Sequence, residues 1–592
     1  MTRLLPYLTP ILLAVLLPAC RPDPPAARPN ILIAISDDQS WPHAGAYGAR
    51  FVTTPHFDRV AREGILFTGA FAPSPGCAPS RSALVTGRYP WQNAHAGNHA
   101  SLWPQAYQTF PDWLTAAGYH VGFTGKGVAP FQWAMGGRET NPAGPEYNLH
   151  KLEPPFDHIS RIDYAANFRD FLAQRSPGQP FCFWYGATEP HRAYDARAGA
   201  QAGKDPAGVT IPPFLPDLDT VREDLLRYAT EIEWFDRHLG DMLAALEAAG
   251  ELDNTLIIVT SDNGMPFPAA KANGYEYGIH VPLAIRWGAE IAPQRQVDDL
   301  VSFVDIAPTL LELAGIAPAK TGGLPITGRS LTDLFYSQEN GWLRAGPQAV
   351  YASRERHSSS RWANLGYPQR MLRTPRWLYI RNYHPERWPA GAPLQLLDDG
   401  QPGHGFTDVD WGGTDSYFIY HQADSAMAPY IAQAFGKRPA EQLFDVRADP
   451  GCRQNRSGDP ALADTLATLR QQMTTFLQET EDPREVGPDP DLFETFPRYS
   501  PIRRFPEPDW VDGVDSAWLA QLLPRIGQDE RPLQQPQAAG PDFLRTSRWL
   551  VQRQGQQWVL FDLQTDPERK TDVSDRYPHT RSQLLRWHDR LH

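Results

Sequence analysis

The chain has 592 residues, 41% of them hydrophobic and 21% charged, a composition typical of a globular enzyme of about two to four structural units. Its net charge of -13 and the lack of a basic cluster in the sequence argue against a nucleic-acid partner, so recognition of any anion must depend on a local site. Four cysteines are too few for a disulfide framework.

Residues 1–20 have the pattern of an export signal. Arg3 precedes an apolar stretch, Leu8–Leu17, that is too short to span a bilayer as a helix. The stretch ends in Leu17-Pro-Ala-Cys20, which resembles a bacterial lipoprotein cleavage site with Cys20 as the lipidated residue; a plain signal peptide is the alternative. The proline-rich residues 21–28 predict a tether. We therefore expect an exported bacterial protein, in the periplasm or anchored to the outer membrane, that meets the membrane through its lipid anchor only.

Residues 29–365 alternate short apolar runs with helical segments, which predicts an α/β catalytic domain. Its core is expected to be a large mixed, mostly parallel sheet flanked by helices. One long helix is predicted to begin at a capping box, Thr220 and Glu223, and to end at Gly250. The strand candidates are Ile31–Ile35, His120–Phe123, Phe181–Tyr185 and Leu256–Thr260.

The C-terminal third contains an internal repeat. Leu372-Arg-Thr-Pro-Arg-Trp-Leu378 recurs as Leu544-Arg-Thr-Ser-Arg-Trp-Leu550, and each copy is followed by a second strand and an amphipathic helix. Chance similarity is the alternative, but three matching elements in the same order argue against it. We expect an α+β subdomain over residues 366–484, a proline-rich connecting segment over 485–541, and a second copy of the strand–strand–helix module over 542–592.

Polar residues follow the predicted strands at the point where each strand ends. In a parallel sheet these ends open onto one edge, where ligands of open α/β folds bind. Carboxylate and amide oxygens suit a hard cation, Ca²⁺ before Mg²⁺, and the absence of histidine from the set argues against a two-zinc site. Each residue alone could have a purely structural role; Asp-Asn-Gly, for example, is also a common turn sequence. The residues are Asp37 and Asp38, Lys126, His191, and Asp262 with Asn263.

Cys77 opens a predicted helix. Pro79 suits its first turn and Gly87 is a natural terminator. A residue at a helix N-terminus faces unpaired amides, which stabilise an anionic group. From the residues alone, Cys77 is either a low-pKa thiolate nucleophile or a buried inert thiol.

The segment Cys77-Ala-Pro-Ser-Arg81 is similar to the modification motif of the type I, formylglycine-dependent sulfatase family, and other motifs of that family follow in the same order along the chain. Further similar stretches resemble the heparan N-sulfatase (N-sulfoglucosamine sulfohydrolase) branch of the family. The family motifs are Arg28–Asp38, Ser74–Pro90, Gly125-Lys126, Pro190-His191, Ser261–Gly264 and Lys271 with Tyr275–Pro282. The branch motifs are Glu189–Arg192, Ser261–Pro268, Ile326–Leu331, Tyr367–Arg370 and Glu479–Pro483.

The resemblance implies an alkaline-phosphatase-like sulfatase fold and a nucleophile made by oxidising Cys77 to formylglycine (3-oxoalanine), with the formylglycine-generating enzyme as a partner. Its hydrate would attack sulfur to give a sulfo-enzyme, and a second hydroxyl would then expel sulfate. Arg81 would hold the hydrate, Lys126 and Lys271 would neutralise the sulfuryl group, and His191 would protonate the leaving group. The implied ligands of one Ca²⁺ are Asp37, Asp38, the residue derived from Cys77, Asp262 and Asn263.

The chain departs from the family pattern at one position. The family usually has histidine two residues after the first lysine, whereas this chain has Val128. His95 and His99 are candidates to supply an imidazole from a neighbouring loop, and His99 and His357 are candidates for substrate binding. Isolated surface histidines are the alternative.

The expected function is hydrolysis of sulfate from a sulfated glycan, with N-sulfoglucosamine of heparin or heparan sulfate as the preferred substrate. An O-sulfatase or a broad arylsulfatase is the alternative enzyme. A catalytically dead, glycan-binding lipoprotein is the alternative of a different class. The sequence leaves the oligomeric state open.

Overall fold

The computed structural model describes residues 28–317, 325–397, 401–513, 538–545, 549–563, 566, 569–575, 581, 584–585 and 588. The predicted signal peptide, Cys20 and nearly all of the predicted tether lie outside these residues. No helix in the described ranges is both long enough and apolar enough to cross a membrane.

The N-terminal part of the chain builds a mixed seven-stranded sheet, in the order β10-β2-β9-β8-β1-β7-β5. The four predicted strands are its neighbours β8, β1, β7 and β5, and they pair in parallel. The expectation of a mixed, mostly parallel sheet is therefore confirmed. The strands of this part are β1 (Asn30–Ser36), β2 (Ile65–Phe67), β3 (Ala70–Phe71), β4 (Ser101–Leu102), β5 (His120–Gly125), β6 (Phe131–Gln132), β7 (Phe181–Gly186), β8 (Thr255–Ser261), β9 (Leu283–Arg286), β10 (Arg295–Val297) and β11 (Val301–Ser302).

The sheet is buried on both faces, because helices cover each side. Alternate residues of β1 belong to different cores: Ile31 and Ile33 to one, Leu32 and Ala34 to the other. The helices of this part are α1 (Pro55–Arg62), α2 (Cys77–Thr86), α3 (Phe110–Ala116), α4 (Tyr164–Gln174), α5 (Ala198–Gln201), α6 (Asp219–Ala248), α7 (Glu276–Ile279), α8 (Ile306–Leu313) and α9 (Thr332–Phe335).

The long helix α6 starts earlier than its sequence suggests. Its N-cap is Leu218, which has no side-chain capping bond, and Thr220 lies inside the first turn. The predicted capping box is therefore wrong; Glu223 instead pairs with Arg227 at 3.0 Å on the exposed face. The predicted end is close, because Gly250 follows the helix with a φ of +67°.

The C-terminal part contains two four-stranded antiparallel sheets, β12-β13-β14-β17 and β18-β19-β20-β21, and a two-stranded one, β15-β16. Each copy of the repeat thus contributes three strands to its sheet where two were predicted, and the fourth strand, β12 or β18, precedes the predicted bounds of the copy. The strands are β12 (Val350–Arg354), β13 (Gln369–Arg373), β14 (Trp377–Asn382), β15 (Leu394–Leu396), β16 (Pro402–His404), β17 (Glu441–Asp445), β18 (Ala538–Gly540), β19 (Phe543–Arg545), β20 (Trp549–Gln554) and β21 (Gln557–Asp562). The helices are α10 (Gly413–Tyr420), α11 (Ala428–Phe435), α12 (Ala463–Glu479), α13 (Pro483–Val486) and α14 (Leu492–Thr495).

The two copies of the repeat share one strand register. Arg373 pairs with Leu378 in the first sheet, and their counterparts Arg545 and Leu550 pair in the second. The predicted helix of the first copy is α12, which packs Met473 and other apolar residues against its sheet. Of the second predicted helix, Arg581–Leu591, the structure describes four residues, and Leu584 among them packs in the core of the second sheet.

Candidate active site

The predicted strand-end residues meet at one edge of the central sheet. Asp37 follows β1 directly and Asp262 follows β8, and these two strands are hydrogen-bonded neighbours. Helix α2 places its first residue, Cys77, against both. One ligand atom each of Asp37, Cys77 and Asp262 lies within 4.8 Å of the others. Asp38, His191 and Asp410 form a second group of the same kind beside the first.

The oxygen atoms of the predicted metal ligands are only partly used by protein donors. Asp37 Oδ1 and Asn263 Oδ1 are buried and have no hydrogen-bond partner in the described structure. Burial, followed by the charge of Asp37, raises the pKa of Asp262 to about 7. A cation at this point would satisfy the free oxygens and offset the repulsion, so the residues fit a hard metal ion.

Asp38 is already engaged on both carboxylate oxygens. Asn263 Nδ2 donates to Asp38 Oδ1 at 2.7 Å, and Lys271 Nζ donates to Asp38 Oδ2 at 2.7 Å. Its backbone N–H donates to Asp262 Oδ1 at 3.1 Å, which ties the two strand ends together. Asp38 and Asp262, which both accept a protein donor on each oxygen, therefore have less free capacity for a metal than Asp37 and Asn263.

Arg81 is fully buried, one turn into α2. Its Nε donates to Asp262 Oδ2 at 2.7 Å, and its Nη1 donates to the carbonyl oxygens of Lys126 and Gly127 at 2.8 and 3.1 Å. The second terminal nitrogen, Nη2, is buried without a partner. The guanidinium thus holds the Asp262 carboxylate and keeps one free donor.

The two predicted lysines form ion pairs with carboxylates, so neither is a solvated surface lysine. Lys126 Nζ lies 2.5 Å from Asp37 Oδ2, and Lys271 Nζ bridges Asp38 and Asp410 at 2.7 and 2.6 Å. Burial alone would lower the pKa of each lysine, but the neighbouring carboxylates raise it above the usual range. Both therefore stay charged.

Cys77 is only 2% exposed. Burial raises the pKa of its thiol, and the partial offset from Lys126 does not reverse the effect. Of the two interpretations that the residues alone left open, the environment opposes a free thiolate nucleophile.

His191 is the half-buried imidazole of the site. Its Nδ1 lies 2.6 Å from the carbonyl oxygen of Arg192, so Nδ1 carries a hydrogen and donates it. Its Nε2 lies 3.8 Å from Asp38 Oδ2 and 3.9 Å from Asp410 Oδ2. A protonated His191 can therefore donate from Nε2 to a leaving group.

Two carboxylates of the site were not predicted. Asp410 pairs with Lys271, and Asp408 accepts from Arg354 and Arg361 at 2.6 and 2.7 Å while lying 3.5 Å from His357 Nδ1. Both come from a loop between β16 and α10. No spacing links them to the strand-end motifs, so the sequence offers no signal for their role.

The candidate histidines have different environments. His357 lies against Gly76: a Cβ added to that glycine would be 3.0 Å from His357 Cδ2. The rings of His99 and His357 are 5.1 Å apart, whereas His95 packs on Phe496 at 4.1 Å. Val128 is fully buried in the apolar core and supplies no polar group to the site.

Comparison with known proteins gives two matching family models. The model described as Sulfatase matches residues 29–316, and the model described as N-sulphoglucosamine sulphohydrolase, C-terminal, matches residues 270–388. Human N-sulphoglucosamine sulphohydrolase is 28% identical over 522 residues, which cover 80% of this chain and 95% of the relative. An ulvan-active sulfatase of Formosa agariphila is 26% identical over 486 residues, which cover 77% of this chain and 76% of the relative.

Solved structures share the fold. One, in complex with its substrate D-glucosamine-2-N,6-O-disulfate, is 21% identical and superposes with a TM-score of 0.53 over 78% of this chain and 99% of its own. A 2-O GAG sulfatase is 19% identical, with a TM-score of 0.51 over 81% of this chain and 98% of its own. The expected alkaline-phosphatase-like sulfatase fold is therefore confirmed.

Proposed function

Because this chain belongs to the sulfatase family and is a hydrolase of sulfuric esters or sulfamates, we propose that it removes sulfate from a sulfated glycan and that its preferred substrate is N-sulfoglucosamine of heparin or heparan sulfate. The observation that carries the proposal is the edge at which Cys77, two carboxylate-held lysines and His191 converge. The match of the N-sulphoglucosamine sulphohydrolase model over residues 270–388, which contain Lys271 and His357, supports the choice of substrate.

The nucleophile of the proposed reaction is a modified Cys77. Conversion to formylglycine would give a hydrated aldehyde. As the family resemblance implies, a hydroxyl of this hydrate would attack sulfur and form a sulfo-enzyme. Lys126 and Lys271 then neutralise the sulfuryl oxygens, and the free Nη2 of Arg81 holds the anionic nucleophile. His191 donates a proton from Nε2 to the departing nitrogen or oxygen.

The proposed metal is one Ca²⁺. Its ligands would be Asp37, Asp38, the group derived from Cys77, Asp262 and Asn263, and it would supply a Lewis acid for the sulfate oxygens. The orphaned oxygens of Asp37 and Asn263 support this assignment. The all-oxygen composition favours Ca²⁺ over softer metals, and Mg²⁺ is the less favoured choice because it demands a stricter geometry.

Substrate binding extends to His99 and His357 in this proposal, because the two imidazoles are neighbours and His357 lies against the residue before Cys77. We also propose that the protein is exported and held to the membrane through a lipid on Cys20. A Cys20→Ala variant, fractionated from its native host, tests this point: it should move from the membrane fraction to the periplasm.

A substrate panel tests the proposed activity. Purified protein from a host with the modifying enzyme should release sulfate from N-sulfoglucosamine faster than from 6-O-sulfated N-acetylglucosamine, and a Cys77→Ala variant should release none. Mass spectrometry of the peptide that contains Cys77 gives an independent readout, because an unmodified thiol removes the proposed nucleophile. Sulfate release from the O-sulfated sugar alone would contradict the N-sulfoglucosamine assignment.

An O-sulfatase is the second candidate, because the ulvan-active sulfatase and the N-acetylgalactosamine-6-sulfatases are relatives of similar identity. The substrate panel separates it from the first. A dead glycan-binding protein, the alternative of a different class, predicts an unmodified Cys77 and no sulfate release from any member of the panel.

A further inference from the structure

We infer that His99, His357 and Arg498 form a second anion-binding subsite beside Cys77, which takes a further negatively charged substituent of the glycan, a sulfate ester or a carboxylate. The inference rests on the proposed function, since it assumes a glycan whose first sulfate lies at Cys77. It adds a charge requirement to the substrate that the catalytic residues alone do not impose.

The subsite is built from three chain segments joined by backbone hydrogen bonds. The N–H of His99 donates to the carbonyl oxygen of Arg356 at 3.2 Å, and the N–H of Tyr499 donates to that of Ala100 at 2.7 Å. Arg498 Nη1 donates to the carbonyl oxygen of His357 at 3.3 Å. These bonds fix the two imidazoles and the guanidinium in one wall.

This wall adjoins the proposed nucleophile. The His357 ring is in van der Waals contact with Gly76, the residue before Cys77. The His99 ring lies 5.1 Å from the His357 ring, centroid to centroid, and His99 is only half-buried, so solvent reaches the wall at His99. A second substituent of a bound sugar can therefore reach this wall while the first occupies the catalytic position.

The wall carries positive charge without a matching carboxylate. Arg498 is 5% exposed and has no carboxylate within ion-pair distance among the described residues. Among the described residues, the guanidinium of Arg356 likewise donates only to carbonyl oxygens, those of Glu494 and Phe496. Two other buried arginines, Arg354 and Arg361, are by contrast both paired with Asp408. A buried guanidinium without a counter-ion is costly, and a bound anion would offset that cost.

The wall also holds unused donors. His99 Nδ1, His357 Nε2 and Arg498 Nε are buried and have no hydrogen-bond partner in the described structure. Burial, followed by the cationic neighbours Arg356 and Arg503, lowers the pKa of Arg498 to about 9. Burial and then His357, Arg498 and the two catalytic lysines lower the pKa of His99. A bound anion would raise the pKa values of Arg498 and His99 again, and the free donors would form charge-assisted hydrogen bonds to it.

Asp408 does not fill the role of the missing anion. It lies 3.5 Å from His357 Nδ1, on the side of the ring away from Nε2, and it is shared by Arg354 and Arg361. Its pKa is held well below the usual range, after the opposing effect of burial, by those two arginines. It therefore orients the imidazole and leaves Nε2 for a ligand.

Binding to a Cys77→Ala protein tests the subsite without turnover. Titration calorimetry would compare D-glucosamine-2-N-sulfate with D-glucosamine-2-N,6-O-disulfate, and the N-sulfated monosaccharide with an N-sulfated disaccharide that carries a uronate. The first pair tests a second sulfate and the other pair tests a carboxylate. We expect Arg498→Gln to weaken binding of a doubly charged ligand by about 10- to 100-fold and that of the singly charged one by less than about 2-fold.

Matched variants guard against a folding artefact. Arg504→Gln, an exposed arginine of the same segment that is not among the cationic neighbours of Arg498, should change neither affinity. Arg498→Lys should restore part of the difference, and His99→Gln should reduce it. An equal loss for both ligands in Arg498→Gln, or a wild-type protein that binds singly and doubly charged ligands alike, would overturn the subsite. Failure to bind any N-sulfated sugar, with binding of O-sulfated ones, would instead contradict the proposed substrate, and the comparison would then use singly and doubly O-sulfated sugars.

Discussion

Lys271 Nζ lies 2.6 Å from Asp410 Oδ2 and 2.7 Å from Asp38 Oδ2, so one ammonium group joins the strand-end carboxylate to a loop of the C-terminal part of the chain. The C-terminal part therefore completes the electrostatics of the site at the sheet edge. Asp410 also lies 3.9 Å from His191 Nε2, which places it next to both the cation and the acid of the proposed reaction.

Replacing Asp410 should slow catalysis with little effect on the fold. In Asp410→Asn, Lys271 loses one of its two ionic partners and moves toward Asp38, away from the sulfuryl position. We expect kcat to fall by about 100-fold while KM changes little. Steady-state kinetics on the best substrate measures this, with Glu290→Gln, an exposed carboxylate on a turn, as the control. A kcat equal to that of the wild type would show that Lys271 does not need its second partner.

Removing a divalent cation should destabilise the protein. Without it, the buried oxygens Asp37 Oδ1 and Asn263 Oδ1 have no partner, and Lys126 and Arg81 only partly offset the repulsion between Asp37 and Asp262. Restoring Ca²⁺ to about 100 times its Kd should add about 2.7 kcal/mol to the free energy of unfolding, seen as a higher Tm. Mg²⁺ should restore less, and Asn263→Ala should weaken the response. Identical melting curves in chelator and in Ca²⁺ would contradict the metal site.

Asp415 should make stability depend on pH. This residue of α10 is 1% exposed, and burial, partly opposed by Arg192, raises its pKa to about 8. The folded state therefore holds a proton that the unfolded chain releases near its ordinary pKa of 3.8. The resulting stabilisation is full below pH 4 and declines as the pH rises to about 8, by at most about 1.4 kcal/mol per pH unit.

The isosteric variant Asp415→Asn isolates this effect, because one carboxylate oxygen of Asp415 is buried without a partner and the other protein contacts stay in place. The difference in Tm between the variant and the wild type should grow in favour of the variant from pH 5.5 to pH 8.5, as measured by thermal scanning. A difference that is independent of pH would show that Asp415 titrates normally in the fold.

The two copies of the repeat should respond to the same mutation in their own sheets. Leu443 and Leu560 are both fully buried and stand opposite Tyr379 and Val551 in the same register. Substitution by alanine at either site should cost about 2–5 kcal/mol. Hydrogen exchange should rise over residues 369–382 in Leu443→Ala and over 549–562 in Leu560→Ala. If Leu560→Ala raised hydrogen exchange in the central sheet as much as in the second copy, the second copy would not be a separate packing unit.

Much of the central sheet could be predicted because its signals are local. An apolar run of five or six residues identifies a buried strand, and a carboxylate right after it falls at the sheet edge whatever the rest of the chain does. Asp37 and Asp262 are found in this way. The start of α2 at Cys77 is local as well, since Pro79 and Gly87 delimit it.

The remaining parts of the site depend on tertiary packing that no local pattern encodes. Asp408, Asp410 and Arg498 come from loops far from the strands, and their partners are chosen by how the C-terminal part docks on the sheet. The N-terminus of α6 shows the same limit on a smaller scale. Thr220 and Glu223 have the spacing of a capping box, yet packing begins the helix one residue before Thr220.

The burial of helix α2 has a consequence for the order of events in the cell. All ten of its residues are buried, and Cys77 is enclosed by Asp37, Asp262 and Lys126. An enzyme that alters this side chain has to bind several residues on either side of it, and in the folded protein these residues are not accessible. The proposed modification of Cys77 therefore has to precede folding, while residues 74–90 are still extended.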